Sequence, residues 1–132
     1  KVKEYIEKTI EFARKNGYVQ TLLGRRRYIP EINSSNQFRR EGAERIAINT
    51  PIQGTSADMI KIAMVTIHKI FSEKKLKSRM ILQVHDELVF EVHEDEKDIV
   101  EEIVVKAMKN AITLDVPVVV DIGWGKNWAE AH

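Results

Sequence analysis

From Gln37 to about Phe71 the sequence reads as one long helical stretch, interrupted only by the string "TPIQGT". Nothing else in the chain constrains the fold so tightly. A proline inside a helix lacks a backbone donor and clashes with the turn before it, so a kink or a restart is expected at Pro51. Thr55 or Ser56 can cap the restart, and Asp58 suits its first turn. Beyond it, Ile60, Ala63, Met64, Ile67 and Phe71 fall on one apolar face, the mark of a helix packed on a core.

Upstream, Val2, Ile6, Ile10 and Ala13 recur at helical spacing, and Asn16-Gly17 ends that segment as a C-terminal cap would. "YVQTLLGRRRYIP" follows as two short extended runs either side of Gly24, closed by Pro30, and "EINSSN" reads as a polar loop. Downstream, "RMILQV" and "LVFEV" flank His85-Asp86-Glu87 and read as an antiparallel hairpin. "EDEKD" gives the next helix an acidic first turn, with Ile99, Ile103, Val104, Ala107 and Met108 on its buried side. "VPVVVDIGWG" reads as a final strand, with Pro117 near its start. The fold class is therefore α+β: a long kinked helix plus a small antiparallel sheet of hairpin, helix and strand, with helices on one face.

At 132 residues the chain suits one domain with its own core, and 43% hydrophobic with 31% charged residues excludes a disordered or fibrous class. No apolar run is long enough to cross a bilayer, and no secretory signal opens the chain. The absence of cysteine removes disulfides and thiolate metal sites. Lys1 stands inside what reads as a helix, with no initiator methionine, which suggests a fragment of something longer. Net charge is +1, but residues 1 to 50 carry eleven Lys/Arg against six Asp/Glu, and residues 51 to 132 carry ten against fourteen. A basic part and an acidic part could hold a polyanion and a cation; they could equally be two solvated faces.

The hairpin tip carries the chemistry. A tight turn favours Gly, Asn or Pro, none of which stands between the two runs. Asp86 and Glu87 side by side are electrostatically unfavourable unless something neutralises them. A hard divalent cation such as Mg²⁺ or Mn²⁺ suits oxygen ligands, whereas zinc would want more nitrogen or sulfur than His85 offers. A two-metal phosphoryl-transfer centre needs another acid, and Asp115 and Asp121 carry no supporting pattern. The competing reading is an exposed polar turn.

Two further clusters belong to the basic half. Arg45, Asn49 and Gln53 recur at i, i+4 and i+8, a donor-rich stripe that could test the acceptors of a duplex minor groove without reading sequence. Arg25, Arg26 and Arg27 beside Gly24 could grip phosphates. Either cluster could also be a solvated surface.

Taken together and in order, "GYVQTLLGRRRYIP", "RREGAERIAINTPIQGTSADMIKIAM", "LQVHDELVFEV" and "DVPVVVDIGWGKNW" resemble the C-terminal end of the family A DNA polymerases, of the bacterial DNA polymerase I type. The resemblance covers nearly the whole chain. It implies a piece of a right-hand assembly, residues 1–75 being the end of the fingers and the helix leading into the palm, and 76–132 the second half of the palm. It implies a template-directed nucleotidyl transfer to a primer 3′ end in replication and repair, with two Mg²⁺ ions (Mn²⁺ as a substitute). Asp86 would be a catalytic metal ligand and Glu87 a supporting acid. His85 would sit against the primer end, Arg45, Asn49 and Gln53 on the template and minor groove, and Gln83 close by. Arg25, Arg26 and Arg27 would touch the template backbone. Gly42 stands where alanine is common, a departure worth at most about 1 kcal/mol.

The same resemblance names the partners as primer-template DNA, deoxynucleoside triphosphates, and the upstream palm, fingers and thumb of the same polymerase. It implies a bacterial cytoplasmic setting at the nucleoid, with an organelle as the alternative. The family's other catalytic aspartate, in a "DYSQIE"-like string, is not in this sequence, so the isolated chain is expected to be inactive. The alternative is a non-enzymatic module that binds duplex DNA.

Overall fold

A computed structural model describes residues 1–131. The chain divides into two compact units, Lys1–Asp58 and the remainder from Met59.

In the first unit, helix α1 (Val2–Asn16) stops at Gly17, whose φ of 77° is the left-handed conformation that a residue without Cβ adopts freely. The Gly17 N–H donates to Ala13 O at 2.7 Å, closing the expected cap. Strands β1 (Tyr18–Gln20) and β2 (Arg26–Tyr28) pair antiparallel, Tyr18 opposite Tyr28. Ala13, Val19, Ile29, Ile32, Ala43 and Ala47 form the core of this unit. "EINSSN" is not simply a loop, because Pro30–Asn33 makes a 3₁₀ turn that buries Ile32. Proline's fixed φ suits the start of a helical turn, and the apolar Ile32 gives that turn a reason to dock. Val2, the first of the residues at helical spacing, is exposed near the start of α1.

Helix α2 (Gln37–Glu73) runs through Pro51 without a break, so of the kink or restart expected there the restart does not occur. Proline removes a single N–H, the one that would reach Ala47, and the bonds around it persist. Thr55 does not cap a new helix; its hydroxyl donates back to Pro51 O at 2.5 Å.

The second unit holds the rest of α2, strands β3 (Arg79–Val84) and β4 (Glu87–Glu91), a 3₁₀ turn at Glu94–Glu96, α3 (Lys97–Lys109) and the short α4 (Trp128–Ala131). Ala63, Ile67 and Phe71 of α2 pack with Val100, Ile103 and Ala107 of α3, and Leu88, Phe90 and Val92 lie against them. The expected last strand does not form, since residues 116–125 are irregular. β-propensity is realised only where a partner edge is available, and β3 and β4 pair only with each other among the described residues. The tail is instead tied to α3: Trp124 Nε1 donates to Glu101 Oε2 at 3.1 Å, and Lys97 Nζ stands 4.4 Å from the Trp124 ring centroid.

The base of the β3–β4 hairpin is fastened by Glu96. Its carboxylate accepts from the N–H groups of Lys77 (2.9 Å) and Ser78 (2.8 Å) and from the Ser78 hydroxyl (2.6 Å), while Ser78 Oγ accepts from the His93 N–H at 3.0 Å. The Lys77 backbone donor, then the Ser78 hydroxyl, hold the Glu96 carboxyl down at about 2 against an ordinary 4.5. A depressed folded-state value means these bonds stabilise fully above pH 4.5 and progressively less as pH falls toward 2. Glu96→Gln is therefore expected to destabilise at neutral pH and to approach wild type in acid. Urea midpoints measured across that window check it, and a gap independent of pH would contradict it.

Candidate active site and nucleic-acid interface

The acidic tip follows from strand register. Met80 lies opposite Phe90 and Leu82 opposite Val89, so Ile81 is an extra residue that bulges β3. From Leu82 the pairing continues to Val84 opposite Glu87, leaving His85-Asp86 as a two-residue connection. His85 takes φ of 52°, a left-handed conformation that a two-residue hairpin turn demands and that glycine or asparagine supplies at less cost. Gln83 braces the turn, its Nε2 donating to His85 O at 2.6 Å. Asp86 is thereby held at an exposed tip, while Glu87, the first residue of β4, is half-buried.

As a metal site the tip offers hard oxygen donors and no soft ones, which suits Mg²⁺ better than zinc. It is a partial set. Among the described residues no group of three or more His, Cys, Asp or Glu side chains could hold a metal, and Asp115 and Asp121 complete none.

The second cluster lies on α2. Arg45, Asn49 and Gln53 are all exposed, and because the helix continues through Pro51 their four-residue spacing is preserved. Successive members sit about 6 Å apart along the axis, turned by roughly 40°. Among the described residues none of the three side chains is engaged in a hydrogen bond or ion pair. Of the three, Arg45 also lines a groove of about 490 Å³, together with Arg27, Tyr28, Phe38, Arg39 and Ile46, among others. Phe38 and Tyr28 are 80% and 69% exposed. Aromatics open to solvent among arginines are the surface on which nucleobases stack. Sequence reading passed over Phe38, Tyr28 and Arg39, although large aromatics among arginines, off the apolar stripe, were a usable signal.

The three arginines of the β1–β2 turn have separate intramolecular roles. Arg25 Nε donates to Asp58 Oδ1 at 2.8 Å and Nη2 to Gly54 O at 3.2 Å. Arg26 stands 4.5 Å from the Tyr18 ring centroid, and Arg27 Nη1 donates to Thr50 Oγ1 at 3.4 Å. All three remain exposed.

Comparison with known proteins decides the family. Residues 1–130 match the model of DNA polymerase family A. The chain belongs to DNA polymerase family A. Among curated family A relatives it is 54% identical to DNA polymerase I of Caldicellulosiruptor bescii over 130 residues, covering 98% of this chain and 15% of the relative. It is 50% identical to DNA polymerase I of Bacillus subtilis, covering the same shares. A solved structure, the POL domain of Pol1 from M. smegmatis in complex with DNA primer-template and dNTP, matches with a TM-score of 0.95 at 50% identity. That match covers 98% of this chain and 23% of that one. The family A chain thus spans a small part of the length of its relatives, and its mixed helices and small antiparallel sheets are a piece of a polymerase fold. No helix among the described residues is long and apolar enough to cross a membrane.

Proposed function

We propose that this chain is the C-terminal part of a bacterial DNA-directed DNA polymerase, contributing one carboxylate position of its nucleotidyl-transfer site and a strip of its DNA-binding surface. Residues 1–75 would be the end of the fingers with the helix leading into the palm, and 76–132 the second half of the palm. The observation that carries the reading is Asp86, a carboxylate fixed at the exposed tip of a braced hairpin in a chain that matches family A from residue 1 to 130. The reaction is attack of a primer 3′ hydroxyl on the α-phosphorus of a deoxynucleoside triphosphate, forming one P–O bond and releasing pyrophosphate. Two divalent ions, when bound, supply charge neutralisation at the attacking and leaving oxygens. Asp86 would be the ligand this chain gives them, and Glu87 would support it.

His85 would stand toward the primer end with Gln83 beside it. Arg45, Asn49 and Gln53 would donate to template and minor-groove acceptors, which occur at equivalent places in every base pair. Arg26 and Arg27 keep exposed guanidinium surface for backbone phosphates. With an incomplete acid set, the chain would work only beside another part of the same polymerase that brings the second acid.

The rival reading, a duplex-binding module without catalysis, draws on the same free donor stripe. A test on the complete polymerase separates them. Replacing Arg45, Asn49 and Gln53 together by alanine is expected to weaken primer-template binding by roughly a hundred-fold, at about 1 kcal/mol per lost hydrogen bond. Mg²⁺-dependent primer extension by the unaltered protein supports the polymerase. Metal-independent binding with no extension at any Mg²⁺ or Mn²⁺ concentration would leave the binding module.

A further inference from the structure

We infer that Arg25, Gly54 and Asp58 form a clasp that positions the donor stripe of α2, and that Arg25 acts through this clasp rather than by gripping a phosphate. The inference rests on the polymerase reading above and deepens it.

The turn between β1 and β2 is fastened to a single stretch of α2. The Leu22 N–H donates to Thr55 Oγ1 at 2.9 Å, Arg25 Nε to Asp58 Oδ1 at 2.8 Å, and Arg25 Nη2 to Gly54 O at 3.2 Å. Asp58 is buried, its side chain 9% exposed, against 51% for Arg25, so the charged bond is sheltered from solvent on one side. Thr55 passes the connection on by donating to Pro51 O. Gly54 is required by the approach itself: a Cβ there would come within 2.6 Å of the Thr21 methyl and push the turn away.

The place of this clasp gives it a role. It begins one residue after Gln53 and reaches back to Pro51, where the helix ladder lacks one N–H. A helix short of one bond bends more easily there, and Pro51 lies between Asn49 and Gln53. An external fastening at this point holds the two amides at a fixed spacing and turn relative to Arg45. Two of the Arg25 donors are already committed to Asp58 and Gly54, in the geometry of an internal tie.

The test uses the complete polymerase and four measurements: active-site concentration by burst amplitude, turnover per titrated site, primer-template affinity, and the salt dependence of that affinity. Arg25→Ala and Asp58→Asn are each expected to lower turnover per titrated site about ten-fold, since small misplacements of positioned groups cost that much or more. The slope of log affinity against log salt should not change. Arg25→Lys, which keeps the bond to Asp58, should recover most of the loss. Gly54→Ala keeps both charges while forcing the turn off the helix and should reproduce the loss; it reads the proposal even where Asp58→Asn fails to fold. A salt slope reduced by about one in Arg25→Ala would make Arg25 a phosphate contact and overturn the inference. Unchanged turnover per titrated site, with only fewer active molecules, would reduce the clasp to a stability element and overturn it too. An unaltered protein that extends no primer would sink the polymerase reading and this inference with it.

Discussion

Asp86→Asn in the complete polymerase is expected to slow single-turnover nucleotide incorporation by about a thousand-fold or more while leaving the fold and primer-template affinity nearly intact. The first half follows from charge. A carboxylate that holds divalent ions at a phosphoryl centre supports several kcal/mol of transition-state stabilisation, and each 1.36 kcal/mol is about ten-fold in rate. The amide keeps the shape and loses the charge. The second half follows from position. Asp86 is exposed at a turn whose geometry is set by Gln83 and the strand register, so its replacement removes no packing. Surface changes of that kind stay within about 0.5 kcal/mol. Quench-flow incorporation beside thermal unfolding checks both halves. A rate within a few-fold of wild type would take Asp86 out of the chemistry.

The second large effect belongs to the core. Ile67 is fully buried on α2 among Ala63, Phe71, Val100, Ile103 and Ala107. Ile67→Ala removes three carbon atoms and leaves a hole that α2 and α3 fill poorly, at an expected cost of about 2–5 kcal/mol. Ile67→Val should cost only about 1 kcal/mol, because most of the volume remains. Against a total stability of roughly 5–15 kcal/mol the alanine variant spends a large share, and it loosens the layer on which Leu88 and Phe90 of the hairpin rest. Urea unfolding should show the midpoint falling with the slope unchanged. A cost below about 1 kcal/mol would mean that this helix pair is not the core of the unit.

How much of this was legible in the residues can be seen element by element. Apolar periodicity located Ala63, Ile67, Phe71, Ile103 and Ala107, because a helix must bury one stripe and these residues can supply nothing else. Gly17 was legible as a cap because little besides glycine suits its left-handed backbone. At Pro51 the residues allowed either a kink or a restart, and the choice was not legible: the helix is continuous there, with the Thr55 and Arg25 bonds around it. The valine run at 116–120 misled, since strand propensity says nothing about whether an edge is free to pair.

At the site, His85-Asp86-Glu87 was recognisable as the wrong chemistry for a turn. The partners of Arg25 were not, because Gly54 and Asp58 are distant in sequence and only the fold brings them to the β1–β2 turn. Phe38 and Tyr28 were legible only by position, as aromatics set among arginines and off the apolar stripe, because composition alone does not separate exposed aromatics from buried ones.

The central claim is that the Asp86 carboxylate is a hard-cation ligand in a nucleotidyl-transfer site. Mn²⁺ titration of the complete polymerase with primer-template and a non-hydrolysable deoxynucleoside triphosphate analogue, read by electron paramagnetic resonance, tests it most directly. Asp86→Asn is predicted to weaken Mn²⁺ binding by roughly ten-fold or more, as expected when a charged ligand is lost from the ion's coordination shell. Superimposable isotherms for the two proteins would contradict the claim.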